Sequence, residues 1–356
     1  MSPLNSKKEK IKKQVVVDDE VLNILMVLVA AILGLLIITG LYFLAVGLSS
    51  MPSSPFPDVG SKPVSGESSY PFRQEISIDL PDYKEDSATI SDITSEYAAL
   101  FDTTTGQIIA SKRSTGSTAT MYPASMTKIM TLIVVVENLK SEESLNDVLE
   151  IKTPRGEHYG YGFNIGEKLT VKDLIYASVL QSDGVACITL AEYIAGSESA
   201  FVKLMNQKVA ELGLLEGDAE NLPSTHFTNC SGLHDDLHFS TAYDMAVIMA
   251  YAMKNTFCAE VLTTLKYVPS ETFRPGEGCT FWHMLLHNRL NDGATQPSTA
   301  TIIGGKTGWT GEDSGYCIAS YAEGKNGHKY VLITAKAEVQ TGAVIDTVNI
   351  YQNYAK

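Results

Sequence analysis

Ser125-Met126-Thr127-Lys128 sets a hydroxyl and an amine three residues apart. If a helix begins near Ser125, positions i and i+3 lie on one face, one turn apart, and the lysine amine reaches the serine hydroxyl. A serine at a helix N-terminus also sits in the positive end of the dipole, which favours a developing anion. Lysine serves as a base only when desolvation or a neighbouring cation lowers its pKa. The apolar run 129–136 offers part of that desolvation. A second cation stands in Lys306-Thr307-Gly308, after the β-like Thr301-Ile302-Ile303. That cation lowers the pKa of the first lysine and attracts a carboxylate. The Thr307 hydroxyl hydrogen-bonds the carboxylate, and Gly308 lets the backbone approach an acyl group closely. Between the two lies Ser182-Asp183-Gly184. Each pattern alone arises often by chance. In this order they describe acyl transfer to a serine.

The elements that must position these groups read as an α+β arrangement. Residues 96–102 and 107–111 are short β-like runs joined by Thr104-Thr105-Gly106, a hairpin signal. The stretch 130–139 is strongly apolar with helix-compatible ends. Segments 171–180, 187–194 and 198–212 read as helices, the last with Phe201, Leu204, Met205 and Leu212 at helical spacing. Residues 241–253 form another helix with Ser240 as its expected N-cap. Residues 301–305, 316–322 and 330–335 read as strands, the last two joined by a turn at 323–327. Strands at both ends of the chain and helices between them predict one antiparallel sheet built from both ends, with a helical subdomain packed on it. No internal repeat is visible.

The chain has 356 residues and a net charge of −14. Its cytoplasmic-type N-terminus, residues 1–20, carries Lys7, Lys8, Lys10, Lys12 and Lys13. From 21 to 48 there is no charge, and most positions are aliphatic. That run exceeds the roughly 20 residues that cross a bilayer. The preceding lysines place the N-terminus in the cytoplasm and the rest outside. Ala45-Val46-Gly47 offers a cleavage spacing, but the run is nearly twice a signal h-region, so it reads as an uncleaved transmembrane anchor. Residues 49–72 hold eight Ser and five Pro, a solvated stalk that is read as continuing to 92. The catalytic domain is expected over 93–356. Beyond residue 20 there are 22 basic and 37 acidic groups, so the outer part is the acidic one. Acidity argues against nucleic acid as a partner. Five cysteines are too sparse for a disulfide scaffold.

Ser-x-x-Lys, then Ser-x-Asn, then Lys-Thr-Gly is a known catalytic set. Here the sequence resembles the low-molecular-weight penicillin-binding proteins, the serine-type D-alanyl-D-alanine carboxypeptidases. The segment from Tyr122 through Pro-Ala-Ser-Met-Thr-Lys-Ile-Met to Thr131 is similar to their nucleophile segment. The resemblance runs over 97–337. It includes Phe101-Asp-Thr-Thr-Thr-Gly106, Gly166-Glu-Lys-Leu-Thr-Val-Lys-Asp-Leu174, Ala191-Glu-Tyr-Ile-Ala-Gly196, Thr225-His-Phe-Thr-Asn229, Gly232-Leu-His234 and His238-Phe-Ser-Thr-Ala242. It implies a β-lactamase/transpeptidase-like fold. By the same resemblance, the penultimate D-alanine carbonyl of a peptidoglycan stem peptide would acylate Ser125. Lys128 would be the base, and Ser182 would pass a proton to the leaving D-alanine. Lys306, Thr307 and Gly308 would bind the substrate, with the backbone N–H groups of Ser125 and Trp309 as oxyanion hole. β-Lactams would be covalent inhibitors. No metal or organic cofactor is implied.

One departure stands in the middle motif, which reads Ser182-Asp183-Gly184 and so lacks the amide of the family's asparagine. This leaves open a weakly active or inactive penicillin-binding sensor or peptide binder, and a β-lactamase of the same fold. Another is the ending: many members carry a further β-domain and an amphipathic membrane helix, and here the N-terminal span is expected to supply the attachment. His234-Asp-Asp-Leu-His238 resembles a zinc helix motif with Asp for Glu, but Ser231-Gly232 before it predicts a loop. His283 and His287, four apart, read as one helix face. Cys187 and Cys317 fall in core elements and read as buried free thiols; pairing of Cys230, Cys258 and Cys279 is left open.

Overall fold

The computed structural model describes residues 74–356, except 75, 116–118, 155, 157–158, 215–223 and 291–295. The expected tail, transmembrane anchor and most of the stalk lie outside the described residues. Among the described residues, no single helix is long and apolar enough to cross a membrane.

In chain order the strands are β1 (Asp82–Thr89), β2 (Tyr97–Asp102), β3 (Gln107–Lys112), β4 (Val148–Glu150), β5 (Lys168–Thr170), β6 (Lys266–Tyr267), β7 (Phe281–Trp282), β8 (Ala300–Gly308), β9 (Tyr316–Gly324) and β10 (Lys329–Ala337). The α-helices are α1 (Lys128–Asn138), α2 (Val171–Leu180), α3 (Gly184–Ala195), α4 (Glu198–Glu211), α5 (Ala242–Lys254), α6 (Thr256–Thr263) and α7 (Gln340–Tyr354). The helices and strands expected over 96–111, 130–139, 171–212, 241–253 and 301–335 are present, with ends shifted by a few residues at most.

Six strands form one sheet in the order β1-β3-β2-β10-β9-β8. The first and last thirds of the chain meet where β2 pairs with β10, as the pattern of early and late strands predicts. Two corrections follow. The sheet is mixed rather than wholly antiparallel, because the edge strand β1 runs parallel to β3. That strand also lies inside the stretch read as stalk, so the fold begins before residue 93. Its residues Asp82-Tyr-Lys-Glu-Asp-Ser-Ala-Thr89 are mostly exposed and polar. An edge strand held by backbone hydrogen bonds needs no apolar alternation, so no periodicity marks it.

The sheet is covered on both faces. Tyr97, Ala99 and Phe101 of β2, with Val331, Ile333 and Ala335 of β10, join the core under the helices. Ala98 and Leu100, with Tyr330 and Leu332, join a second core under α7. Alternate side chains of one strand therefore enter different cores. This is why β2 reads as a continuous apolar run.

Helix starts follow local chemistry. Thr170 and Asp173 form a capping box at α2, Asp183 caps α3, Ser197 caps α4 and Asn255 caps α6. At α5 the cap is Thr241, not Ser240: its hydroxyl accepts from Asp244 N–H at 3.0 Å. The Ser240 hydroxyl is 2.7 Å from that of Thr225, and its backbone bridges Met121, so tertiary contacts engage it instead.

The segment before β2 is pinned to the last helix by Asp346 of α7. Its buried carboxylate accepts from Thr94 N–H (3.1 Å) and hydroxyl (2.8 Å), and from Ser95 N–H and hydroxyl (2.7 Å each). Removing an acceptor shared by four donors leaves buried polar groups unsatisfied. Asp346→Ala is expected to cost about 3 kcal/mol of stability. A denaturation midpoint indistinguishable from the parent would refute this role.

Candidate active site

The nucleophile segment begins as a 3₁₀ turn, Ala124–Thr127, and becomes α-helical at Lys128. With three residues per 3₁₀ turn, side chains at i and i+3 eclipse. Ser125 and Lys128 are therefore stacked, and Lys128 Nζ donates to Ser125 Oγ at 2.9 Å. The turn is tight enough to hold Ala124 at φ +48°, a left-handed conformation uncommon for alanine. Lys128 is 2% exposed. As the apolar run predicts, the first nine residues of α1 are all buried.

Ser182 occupies the break between α2 and α3 and also has positive φ, +56°. Sparsely populated backbone conformations at Ala124, next to Ser125, and at Ser182 fit a site whose geometry the surroundings over-determine. Lys306, on β8, donates to Ser182 Oγ at 2.8 Å and to the Thr307 carbonyl at 2.8 Å. The structure thus brings all three motifs together as two lysine–serine pairs. Asp183 does not join them. Its carboxylate accepts from Ala186 N–H and Tyr161 N–H, both at 2.8 Å. Gly184 opens α3 and contributes no side chain.

Gly308 closes the site. A Cβ there would lie 3.0 Å from the Pro123 carbonyl oxygen and 3.1 Å from Ser125 N. A side chain there would crowd the nucleophile turn and require it to give by a few tenths of an ångström. Trp309 follows, 56% exposed and stacked on Tyr316 at 5.9 Å. Ser125, Tyr159, Ser182, Thr307, Gly308 and Trp309 share the walls of one cleft of about 190 Å³.

Burial pushes the Lys128 amine below its ordinary value, and the thiols of Cys187 and Cys230 and the carboxyl of Asp183 only partly oppose this. Burial pushes Lys306 well below its own ordinary value, and the charge of Lys128 pushes it further. A desolvated lysine is a competent base at neutral pH.

Several supporting groups lie outside the three catalytic motifs. The Ser231 carbonyl accepts a second hydrogen bond from Lys128. Asn229 Oδ1 holds that loop by accepting from Gly232 N–H at 2.7 Å and Leu233 N–H at 3.0 Å. Thr131 Oγ1 donates to the Cys230 carbonyl at 2.6 Å, tying the loop to α1. The fold alone reveals this role of 229–233, because it depends on backbone carbonyls.

The remaining candidates are structural. Residues 233–237 form a loop, as expected, not a helix. His238 Nδ1 accepts from Thr228 N–H at 3.1 Å, which leaves the proton on Nε2 to reach Thr127 Oγ1 at 2.8 Å. Burial lowers its pKa to about 3, so it stays neutral. His283 and His287 do not share a helix face. His283 caps the π-helical turn Met284–Arg289, and His287 lies against Trp282 at 4.3 Å. All five cysteines are free thiols, and Cys187 and Cys317 are buried in core elements.

Gly232 sets the nucleophile turn. It has φ +81°, and a Cβ on it would fall 1.9 Å from the Ala124 carbonyl oxygen and 3.0 Å from Ser125 N. Gly232→Ala is expected to slow acylation of Ser125 by an activated acyl donor at least tenfold, since a turn displaced by even 1 Å is costly to attack geometry. Unchanged acylation, followed by mass spectrometry, would show that the turn tolerates the methyl group.

A family model described as D-alanyl-D-alanine carboxypeptidase matches residues 84–338. Among curated relatives, DacF of Bacillus subtilis is 33% identical over 248 residues, covering 68% of this chain and 58% of its own. DacA of Escherichia coli is 29% identical over 246 residues, covering 66% and 55%. The chain thus spans somewhat over half the length of these relatives. Penicillin binding protein 5 from Haemophilus influenzae superposes with a TM-score of 0.61 at 23% identity, covering 75% of this chain and 72% of that one. Penicillin-Binding Protein D2 from Listeria monocytogenes gives 0.60 at 21% identity, covering 74% and 98%. At those identities the structures speak for the fold alone, which is the transpeptidase-like α+β fold. With the family match spanning most of the described residues, the chain belongs to the peptidase S11 family of D-alanyl-D-alanine carboxypeptidases.

Proposed function

We propose that this chain is a membrane-anchored serine D-alanyl-D-alanine carboxypeptidase that removes the terminal D-alanine from peptidoglycan stem peptides. The observation that carries the reading is the pair of buried contacts, Lys128 Nζ to Ser125 Oγ and Lys306 Nζ to Ser182 Oγ, in one cleft. Residues 21–48 would anchor the chain in the bilayer with the N-terminus cytoplasmic. Residue 49 onward would carry the domain outside, where its substrate is.

The chemistry follows from the geometry. Neutral Lys128 takes the Ser125 proton as Oγ attacks the penultimate carbonyl. The oxyanion is received by the backbone N–H groups of Ser125 and Trp309. As the tetrahedral intermediate collapses, the proton reaches the leaving amine by way of Ser182, and D-alanine departs. Water then attacks the ester, giving its proton back to Ser125 as the new carboxylate forms. Lys306 and Thr307 hold the terminal carboxylate, and Gly308 lets the acyl group lie against the strand. An arriving carboxylate favours the ammonium form of Lys306. That cation in turn keeps Lys128 neutral, so substrate binding arms the base. The neighbour solved with cefotaxime bound supports β-lactams as covalent inhibitors of Ser125.

The decisive experiment measures free D-alanine from a peptide ending in D-Ala-D-Ala. We expect release that is insensitive to EDTA and reduced to background by Ser125→Ala. Labelling by fluorescent penicillin without release would favour a sensor, and rapid penicillin turnover a β-lactamase. Because burial lowers the Lys128 pKa from 10.5, its neutral form is present at lower pH than in a free lysine. The acylation rate should therefore rise with pH through a single deprotonation and level off below 10.5. A rate still climbing at that pH would remove Lys128 as the base.

A further inference from the structure

Tyr159 lines the cleft that holds Ser125 and Ser182, although it belongs to none of the three motifs. Its side chain is not core: the residue is 64% exposed. Its backbone, however, is fastened to the middle motif. Gly184 N–H donates to the Tyr159 carbonyl at 2.9 Å. Two residues on, Tyr161 N–H donates to Asp183 Oδ2 at 2.8 Å. Gly160 between them has φ +150°, and a Cβ on it would fall 2.2 Å from Asp183 Oδ2 and 2.5 Å from Asp183 Cα. Tyr161 is itself embedded among aromatic rings, with Phe281 at 4.9 Å and Phe273 at 5.8 Å. Residues 159–161 are thus pressed onto the Ser182–Gly184 turn from above and anchored from behind.

This arrangement leaves a large aromatic side chain at the cleft wall with a fixed backbone and a mostly solvated ring. Asp183 is buried in the α3 cap, and Gly184 has nothing to offer. Among the described residues of this wall, Tyr159 and Ser182 are the side chains that line the cleft. A phenol combines an apolar face with a hydroxyl that donates or accepts, which suits an extended peptide backbone.

We propose that Tyr159 is a substrate-contacting specificity residue for the acyl-donor part of the peptide, the residues that precede the scissile bond. Its ring covers the acyl chain and its hydroxyl hydrogen-bonds a peptide group. Asp183 and Gly160 are positioning residues that hold it there. The assignment rests on the carboxypeptidase reading of this site.

The test is steady-state D-alanine release by the full chain from two substrates, N-acetylated L-Lys-D-Ala-D-Ala and N-acetyl-D-Ala-D-Ala. Tyr159→Ala should raise KM for the tripeptide about tenfold, the scale of one lost hydrogen bond and its packing, with kcat changed less than about threefold. Tyr159→Phe should fall between, and Gly160→Ala should reproduce the KM rise by displacing the loop. The dipeptide, which lacks the contacted residue, should show no rise. Melting temperatures measured alongside should not move for Tyr159→Ala, since the side chain is exposed. An unchanged tripeptide KM in Tyr159→Ala, or an equal rise on both peptides, overturns the role of Tyr159 and leaves the carboxypeptidase reading intact. No release by the unaltered chain from either peptide overturns both.

Discussion

Two lysine amines buried side by side, each on a serine hydroxyl, are the constraint around which this molecule is built. Burying one ammonium is costly, and burying two costs more. The structure meets that cost by letting both pKa values fall and by giving each amine hydroxyl and carbonyl oxygens as acceptors. Among the described residues no carboxylate bonds either amine, and the nearby Asp183 is committed to a helix cap and to Tyr161. A carboxylate on Lys128 would favour its charged form and abolish the base. On the proposed reading, the chain's overall acidity is offset locally, with Lys306 the cation that attracts a substrate carboxylate.

Holding the pairs requires three separate parts of the chain to converge. Ser125 and Lys128 come from the turn into α1, Ser182 from the break between α2 and α3, and Lys306 from β8. Convergence depends on close backbone approaches at glycines. Gly308 brings the strand against the nucleophile turn, and Gly232 brings the 229–233 loop against the same turn from another side. Gly305 lets β8 cross tightly over β9, where a Cβ would meet the Ala319 carbonyl oxygen at 2.2 Å. These backbones are set by the sheet, and Asp346 in turn ties the sheet's entry at Thr94 and Ser95 to the last helix. Contacts thus run from the segment before β2 and from α7 through the sheet to the cleft.

Much of this could be read residue by residue. The apolar run after Lys128 announces both a helix and the burial of the amine. Alternation does not mark β2, yet its unbroken apolar run identifies a strand covered on both faces. Where the reading failed, a tertiary contact had replaced a local one. Ser240 looks as good an N-cap as Thr241, but Thr225 and Met121 claim it. Residues 82–89 look like stalk because an edge strand needs only backbone donors and acceptors, which every sequence has. His283 and His287 look like a helical pair until His283 proves to be the cap of a π-helical turn.

The types and order of the reacting groups, the spacing of Ser125 from Lys128 and the helices that carry them were set by the sequence, since each depends on neighbours within a turn or two. The distance from Lys306 to Ser182, separated by 124 positions, was not. Nor were the carbonyl of Ser231 on Lys128 or the seating of Tyr159 on the Asp183-Gly184 turn. Those depend on backbone groups that all residues share and on approaches that only the packed sheet and helices bring within reach. A linear pattern can name the serines and lysines. Only the folded chain decides that the amines are dry, and dryness is what fits a lysine amine to act as a base.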